Sequence, residues 1–104
     1  MIAKIYVEPG AEAELEEAAG GYEHSVPGLG REFLAEMRRR TDEVAEAPHR
    51  FPPFGAVEGV QCAHATGRFP HLVVYMRRED VVHILAYMHP RRRPGYWAGR
   101  VPKR

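Results

Sequence analysis

Cysteine is nearly absent from this sequence, because Cys62 is the only one among 104 residues. A single cysteine excludes an internal disulfide and is typical of a protein from a reducing compartment. Long apolar runs are also missing: the longest extends from Leu72 to Met76, whereas a membrane-spanning helix needs about 20 residues. The first residues alternate and carry charge, unlike a secretory signal, so we expect a cytoplasmic protein that makes no membrane contact.

Negative charge is scarce in the second half of the chain. Residues 1–49 carry 11 acidic and 5 basic side chains, whereas residues 50–104 carry 3 acidic and 10 basic ones. The halves therefore have net charges of −6 and +7, although the whole chain has a net charge of only +1. A basic half indicates an anionic partner, either phosphate or an acidic protein segment. The alternative is a pair of solvated faces that balance each other.

Apolar residues of the first half recur at helical spacing. Residues 2–7 predict a short strand closed by Pro9 and Gly10, and the period changes at Ala11. The first helix has its apolar stripe at Leu15, Ala18, Ala19 and Tyr22. The second helix ends at Pro48 and has its stripe at Phe33, Leu34, Met37, Thr41, Val44 and Ala45. These patterns predict an antiparallel helix hairpin over residues 11–46.

The second half has the period of two that is typical of strands. Residues 56–66 predict a weak strand, and residues 71–76 and 81–89 predict a β-hairpin with a four-residue joint at 77–80. On the last strand we expect one face to contact the helices, namely Val82, Ile84, Ala86 and Met88. The whole chain, residues 1–104, is therefore predicted to be one α+β domain in which the helix hairpin packs on a small, mainly antiparallel sheet.

The segment "HPRRRPGYWAGR" at residues 89–100 combines basic, aromatic, proline and glycine residues in a way that no hydrophobic core requires. It follows the pattern H-x-R-R-x-P-x-Y-W-x-x-R without a gap. Together with "AEAELEEAAGGYE" (11–23), "VPGLGREFLAEM" (26–37), "APHRFP" (47–52) and "RFPHLVVY" (68–75), it resembles the RelE/ParE superfamily of bacterial type II toxins, most closely the ParE branch. The resemblance covers nearly the whole chain.

The resemblance implies the toxin of a plasmid-stabilisation or toxin–antitoxin module, with the fold predicted above and no cofactor. Its partners would be a cognate antitoxin and DNA gyrase, which a ParE-like toxin inhibits without being an enzyme. A homodimer or a toxin–antitoxin hetero-oligomer would be compatible with it. Two alternatives remain: a RelE-like endoribonuclease acting on mRNA at the ribosome, and a decayed binding module that keeps only the fold.

Arginine side chains can form bidentate contacts with phosphates and carboxylates, and aromatic rings can stack on bases or fill a groove. We therefore predict that a flexible basic tail contacts the target, through His89, Arg91, Arg92, Arg93, Tyr96, Trp97 and Arg100. Packing of the Trp97 ring on the sheet is an equal alternative. Truncation after Met88 is expected to remove toxicity and to leave the sheet folded.

Two further sets of site residues follow from the resemblance. A nuclease would use His89 as a base with Arg91, Arg92 and Tyr87, although His89 could instead orient the tail through the backbone. We expect the antitoxin to occupy a groove between the sheet edge, the second helix and the tail. Its predicted contacts are Phe33, Met37, Arg77, Arg92 and Trp97.

Metal binding is the least supported chemistry. Cys62 and His64 share a predicted strand face, and His71 or His83 could lie across the sheet from them. No paired Cys-x-x-Cys motif accompanies them, so we predict no metal and assign Cys62 to the core. The glutamates of the first helix are interpreted as solvated.

Overall fold

Two helices and four strands make up the fold, and the computed structural model describes residues 3–103 of the chain. Their order confirms the predicted α+β fold. The elements are β1 (Lys4–Val7), α1 (Pro9–Ser25), α2 (Leu29–Glu46), β2 (Val60–His64), β3 (Leu72–Arg78), β4 (Val81–Met88) and a 3₁₀ turn (Ala98–Arg100). Ile2, predicted to begin the first strand, lies outside the described residues.

The sheet has the strand order β1-β4-β3-β2. Strand β1 runs parallel to β4, whereas β4 with β3 and β3 with β2 are antiparallel pairs. The sheet is therefore mainly antiparallel, as predicted. Strand β1 pairs only with residues 81–84, so the outer edge of β4 has no strand beside it beyond that point.

Helix α1 begins at Pro9, two residues before its predicted start. Proline suits the first position of a helix, because an N–H at this position would have no intrahelical acceptor. The helix continues through Gly20 and Gly21 and ends at Ser25. The glycine pair therefore does not end the helix early, which shows that packing outweighs a propensity cost of roughly 1 kcal/mol per glycine.

A tight joint connects α1 to α2. Gly28 has a φ of 90°, in the left-handed region that favours glycine. The Glu23 carboxylate accepts hydrogen bonds from the backbone N–H groups of Gly28 and Gly30, at 2.9 and 3.0 Å. A Cβ atom on Gly30 would lie 2.5 Å from the carbonyl oxygen of Ala19. Glycine at both positions thus allows the turn and the close approach of the two helices.

The apolar stripe of α2 faces the sheet at five of the six predicted positions. The buried residues are Phe33, Met37, Thr41, Val44 and Ala45. Leu34 is instead 40% exposed. It follows Phe33 by one residue, which places it about 100° around the helix and outside the contact with the sheet.

A β-bulge in β4 reverses the alternation of side chains along this strand. Val74 pairs with Ala86 and Tyr75 pairs with Ile84, so Leu85 is an extra residue on β4. Ile84 faces the helices as predicted. The prediction was wrong for Ala86 and Met88, which contact the opposite face, whereas Tyr87 lies on the helix side. A one-residue insertion moves every following side chain to the other face.

The sheet therefore has a hydrophobic cluster on each face. The helix-side cluster joins both helices to the sheet through residues that include Phe33, Met37, Val73, Tyr75 and Ile84. The tail-side cluster lies on the opposite face and contains Val60, Cys62, Leu72, Val74, Leu85, Ala86, Met88 and Trp97. Because Trp97 comes from beyond the last strand, the basic segment supplies part of this second core.

The turn between β3 and β4 is shorter than predicted. Strand β3 extends to Arg78 and β4 begins at Val81, which leaves Glu79 and Asp80 as a two-residue turn. Glu79 has a φ of 57°, as two-residue hairpin turns often require. Within residues 3–103, no helix combines the length and the apolar character needed to cross a membrane.

Candidate functional site

The basic tail, residues 89–103, is folded onto the sheet, whereas the sequence predicted a flexible tail. Consecutive turns are closed by backbone hydrogen bonds from Arg92 to His89, from Tyr96 to Arg93 and from Arg100 to Trp97, at 3.0, 3.2 and 2.8 Å. Gly95 has a φ of 75° within this series. The tail is therefore a structured part of the fold that can hold its side chains in fixed positions.

Trp97 anchors the tail in the tail-side cluster. Its side chain is 1% exposed, and its ring centroid lies 6.1 Å from that of Phe54. Gly55 has a φ of 75°, and a Cβ atom there would lie 3.1 Å from the Trp97 ring. The loop before β2 thus closes over the ring. In this conformation Trp97 packs in the tail-side cluster, as in the alternative in which its ring covers the sheet.

The tail arginines divide into two pairs. Arg92 stacks over the Tyr96 ring at 3.9 Å, and its guanidinium lies 3.7 Å from the Glu14 carboxylate. Arg100 lies 3.1 Å from the same carboxylate and is only partly exposed. Arg91 and Arg93 are exposed, and their guanidinium groups are unpaired within residues 3–103. These two cations are therefore the ones that the folded tail offers to an anionic partner.

An apolar groove of about 720 Å³ runs beside the tail on the face opposite the helices. The tail and the loop at residues 54–57 form its walls, and Leu72 and Met88 line it from the sheet. His64 and Arg92 also line it, so the groove has polar groups beside an apolar surface. Such a combination is typical of a site that holds an apolar side chain and orients it by a few polar contacts.

His89 supports the start of the tail. Its Nδ1 accepts a hydrogen bond from the backbone N–H of Arg91 at 3.1 Å, and its ring lies edge-on to that of His71 at 5.3 Å. The hydrogen bond occupies the lone pair of Nδ1. This arrangement matches the alternative in which His89 orients the tail through the backbone.

The residues predicted for a nuclease are not brought to one point. The Tyr87 hydroxyl lies on the helix side, 2.9 Å from the Thr41 hydroxyl, and burial raises the pKa of Tyr87. Arg91 and Arg92 are exposed on the tail. His83 lies away from them beside β1, 3.9 Å from Glu8. The β-bulge is the reason, since it directs Tyr87 away from the tail.

The predicted antitoxin contacts do not form one surface either. Phe33 and Met37 are fully buried under α2, so their prediction as contact residues was wrong. Large apolar side chains suit a protein core as well as an interface, so residue type alone does not separate the two. Arg77 is exposed and lines a separate cavity near the β3–β4 turn. Arg92 and Trp97 belong to the tail, on the opposite face of the sheet from α2.

Cys62 and His64 have different surroundings although they share a strand. Cys62 is buried in the tail-side cluster, and burial raises the pKa of its thiol to about 11. The His64 side chain is exposed, and its backbone carbonyl accepts a hydrogen bond from Arg40 at 2.5 Å. In the part of the chain that the structure describes, no three His, Cys, Asp or Glu residues are arranged to hold a metal ion.

Glu14 is the site residue that the sequence interpretation missed. Its side chain is only 13% exposed, whereas the glutamates of this helix were interpreted as solvated. A signal was present, because Glu14 lies three residues after Ala11 and four before Ala18, on the apolar stripe of α1. A charged residue on such a stripe needs a partner of opposite charge, and Arg100 supplies it.

Acidification is expected to destabilise the protein through His71, which is buried against the rings of Phe33 and Tyr22. Burial, with the neighbouring His89, lowers the pKa of His71 from 6.5 to about 4. The unfolded chain therefore takes up this proton first, so stability is full above pH 6.5 and falls as the pH approaches 4. We expect His71→Phe to remove a loss on the order of 2–3 kcal/mol between neutral pH and pH 4.5, measured by urea unfolding.

The matched control is His24→Phe, since His24 is exposed at the end of α1. This variant should keep the acid dependence of the parent protein. An equal acid dependence in the parent and in His71→Phe would show that other groups are responsible.

Comparison with known proteins adds a structural likeness. No protein-family model matches the sequence, and no curated protein matches it significantly. A solved structure described as the chromosomal ParDE TA system from P. aeruginosa contains a similar chain, with a TM-score of 0.74 and 13% sequence identity. The match covers 85% of this chain and 96% of that chain. At this identity the likeness shows a shared fold, so the predicted fold is confirmed, whereas membership of the RelE/ParE superfamily and of its ParE branch stays a prediction.

Proposed function

We propose that the protein is the toxin component of a toxin–antitoxin module, that a cognate antitoxin neutralises it, and that its target is DNA gyrase. The observation that supports this most is the fold shared with a chain of a ParDE TA system over 85% of the present chain. The gap-free match of residues 89–100 to the tail pattern of ParE-like toxins supports the same function.

The antitoxin is proposed to bind along the apolar groove beside the basic tail. The groove is lined by Leu72 and Met88, with Arg92 among its polar lining, and Arg91 and Arg93 are exposed on the same tail. This surface suits a segment that carries apolar anchor residues next to acidic ones, because the anchors fill the groove and the carboxylates pair with the arginines. This proposed interface differs from the one expected from the sequence, which included α2.

Inhibition of gyrase is proposed to occur by binding, without chemistry on a substrate. A nuclease needs a base, an acid and cations that converge on one phosphate. Here the Nδ1 lone pair of His89 is used by the tail backbone, and the Tyr87 hydroxyl is directed at Thr41. The folded tail instead presents Arg91 and Arg93 on a structured support, which suits a grip on a large anionic or acidic surface.

One observation favours the ribosome-dependent nuclease as a second candidate. His89 lies directly before the exposed arginines, and its ring is only partly buried. The Nε2 atom of this ring is on the side away from the hydrogen bond to Arg91. A change in the conformation of the tail on binding mRNA would place the Nε2 atom of His89 beside a scissile phosphate. Some catalytic hydrogen bonds form only in the substrate complex.

A paired assay tests the proposal. The protein is produced without antitoxin, and its effects on gyrase supercoiling and on mRNA bound to translating ribosomes are measured separately. We expect supercoiling to fail and RNA to stay intact, because the tail is built for binding. His89→Ala is included in both assays.

The outcomes separate the three candidates. Codon-phased mRNA cuts that disappear in His89→Ala, with supercoiling unaffected, would establish the nuclease and overturn the proposal. Absence of both effects would indicate a decayed module. Antitoxin binding is tested separately, by co-expression with the small protein encoded by the adjacent gene and a pull-down at moderate salt. Separate migration of the two proteins would contradict the proposed complex.

A further inference from the structure

We propose that Glu14 is the positioning residue that docks the basic tail against β4 and determines which tail arginines are paired and which are left without an anionic partner. The effect of Glu14 on target binding rests on the proposed function, whereas the role of Glu14 in docking the tail does not. The Glu14 carboxylate accepts a hydrogen bond from the backbone of β4 and lies within ion-pair distance of two tail arginines, Arg92 and Arg100. No other carboxylate in residues 3–103 contacts the tail arginines.

The outer edge of β4 is only partly covered by a neighbouring strand. Strand β1 pairs with β4 only as far as Ile84, and the bulge at Leu85 follows at once. The carbonyl of Leu85 and the N–H of Tyr87 are then on an outer edge without a neighbouring strand. Buried backbone groups of this kind need partners, because a buried N–H or C=O without one loses the hydrogen bond that it would make to water.

Two side chains fill this edge in place of a strand. Arg100 donates from Nη1 to the Leu85 carbonyl at 3.0 Å, and the Glu14 Oε1 accepts from the Tyr87 N–H at 3.2 Å. The same two side chains approach each other at 3.1 Å between Nη2 and Oε2. Together they present one donor and one acceptor to β4, as a paired strand would. Arg100 can take this position only while Glu14 balances its charge.

Tyr96 lies between the two guanidinium groups. Arg92 is 3.9 Å and Arg100 is 5.2 Å from the centre of its ring. Two cations around one ring repel each other unless an anion lies nearby, and Glu14 lies beside both. Burial, together with the Glu14 carboxylate, raises the pKa of Tyr96, which keeps the hydroxyl protonated. Glu14 therefore completes an Arg–Tyr–Arg stack.

Arg100 also occupies space on α1. A Cβ atom on Gly10 would lie 2.6 Å from the central carbon of the Arg100 guanidinium. Gly10 lies one turn before Glu14, so the helix offers a recess and a carboxylate to the same side chain. Any other residue at position 10 would displace Arg100, although alanine is the better helix former.

The four tail arginines differ in their pairing with Glu14. Arg92 and Arg100 pair with Glu14, although the Arg92 side chain is still half exposed, whereas Arg91 and Arg93 are exposed and have no anionic partner within residues 3–103. Loss of the Glu14 charge should release the first pair and, with it, the turns that carry Trp97. The tail would then leave the tail-side cluster more often, without a change in the helices or in the rest of the sheet.

The experiment compares Glu14→Gln and Gly10→Ala with Glu17→Gln. The glutamine keeps the shape of Glu14 and can still accept from Tyr87, the alanine displaces Arg100 without changing charge, and Glu17 is exposed on the same helix. Trp97 is the only tryptophan, so its emission maximum reports tail docking directly. Trypsin cleavage after Arg91 and Arg92 reports the same opening, since cleavage follows the population of the open form.

We expect a red-shifted Trp97 emission and about tenfold faster cleavage in Glu14→Gln and in Gly10→Ala, as loss of one partly buried ion pair implies. Far-UV circular dichroism should be unchanged, and Glu17→Gln should match the parent. Equal emission and cleavage in Glu14→Gln and Glu17→Gln would overturn the role of Glu14. If Glu14→Gln fails to fold, Gly10→Ala decides by the same criteria. Neither measurement needs a target or an antitoxin, so failure of the proposed function would be seen separately.

Discussion

Replacing Trp97 by alanine is expected to cost about 3–5 kcal/mol in the free energy of unfolding, the usual loss when a buried tryptophan is truncated. The Trp97 ring is 1% exposed and packs with Leu85, Met88 and Phe54 on the face opposite the helices. A domain of this size has about 5–15 kcal/mol in total, so the change removes a large part of it. Urea unfolding followed by circular dichroism measures the loss.

The control is Tyr6→Ala, because Tyr6 is an aromatic residue of the same sheet that is 48% exposed. It should cost much less than Trp97→Ala. Similar losses in the two variants would show that the tail-side cluster does not stabilise the fold. Truncation after Met88 is expected to destabilise the sheet for the same reason, since removing Trp97 would leave Leu72 and Val74 uncovered.

The double variant Arg91→Glu with Arg93→Glu is expected to weaken antitoxin binding and gyrase inhibition by about a hundredfold, roughly tenfold for each lost charged contact. Both side chains are exposed on the structured tail and unpaired within residues 3–103, so the change should leave the unfolding free energy nearly unchanged. Binding is measured by titration calorimetry and inhibition by the supercoiling assay, both at fixed ionic strength because screening alters such contacts.

A control with the same change of charge is Arg31→Glu with Arg38→Glu, at two exposed positions on α2. We expect this variant to keep most of its affinity, because α2 lies on the other side of the sheet from the groove. Equal losses in the two double variants would mean that net charge, rather than the tail, determines binding. A loss only in the α2 variant would move the proposed interface to the helix hairpin.

The sequence was sufficient for the order of elements and for most of the helix-side cluster. The periods of 3.6 and 2 are local properties, so they place α2 on the sheet through Phe33, Met37 and Val44 without knowledge of the rest of the fold. The sequence could not predict that Leu85 is the extra residue of a β-bulge. A bulge depends on how β3 and β4 pair, and a regular alternation of residues 82–88 looks the same with and without it.

The candidate site was predicted in part. The motif at residues 89–100 identified the segment, but residue type alone does not separate a paired arginine from an unpaired one. Arg100 and Arg92 pair with Glu14, whereas Arg91 and Arg93 do not, and this difference arises from α1, more than 70 residues earlier in the chain. Trp97 shows the same limit, since a tryptophan suits an interface and a core equally well.

The parallel pairing of β1 with β4 joins residues that are far apart in the chain, such as Lys4 and Val81. The α1–α2 and β3–β4 hairpins contain only local contacts, so each can form early at a small entropic cost of loop closure. Strand β1 can add only after β4 exists, which makes this pairing a late event in folding. Once it forms, β4 lies between β3 and β1. Amide hydrogens of β4 should therefore exchange with solvent among the last in the protein.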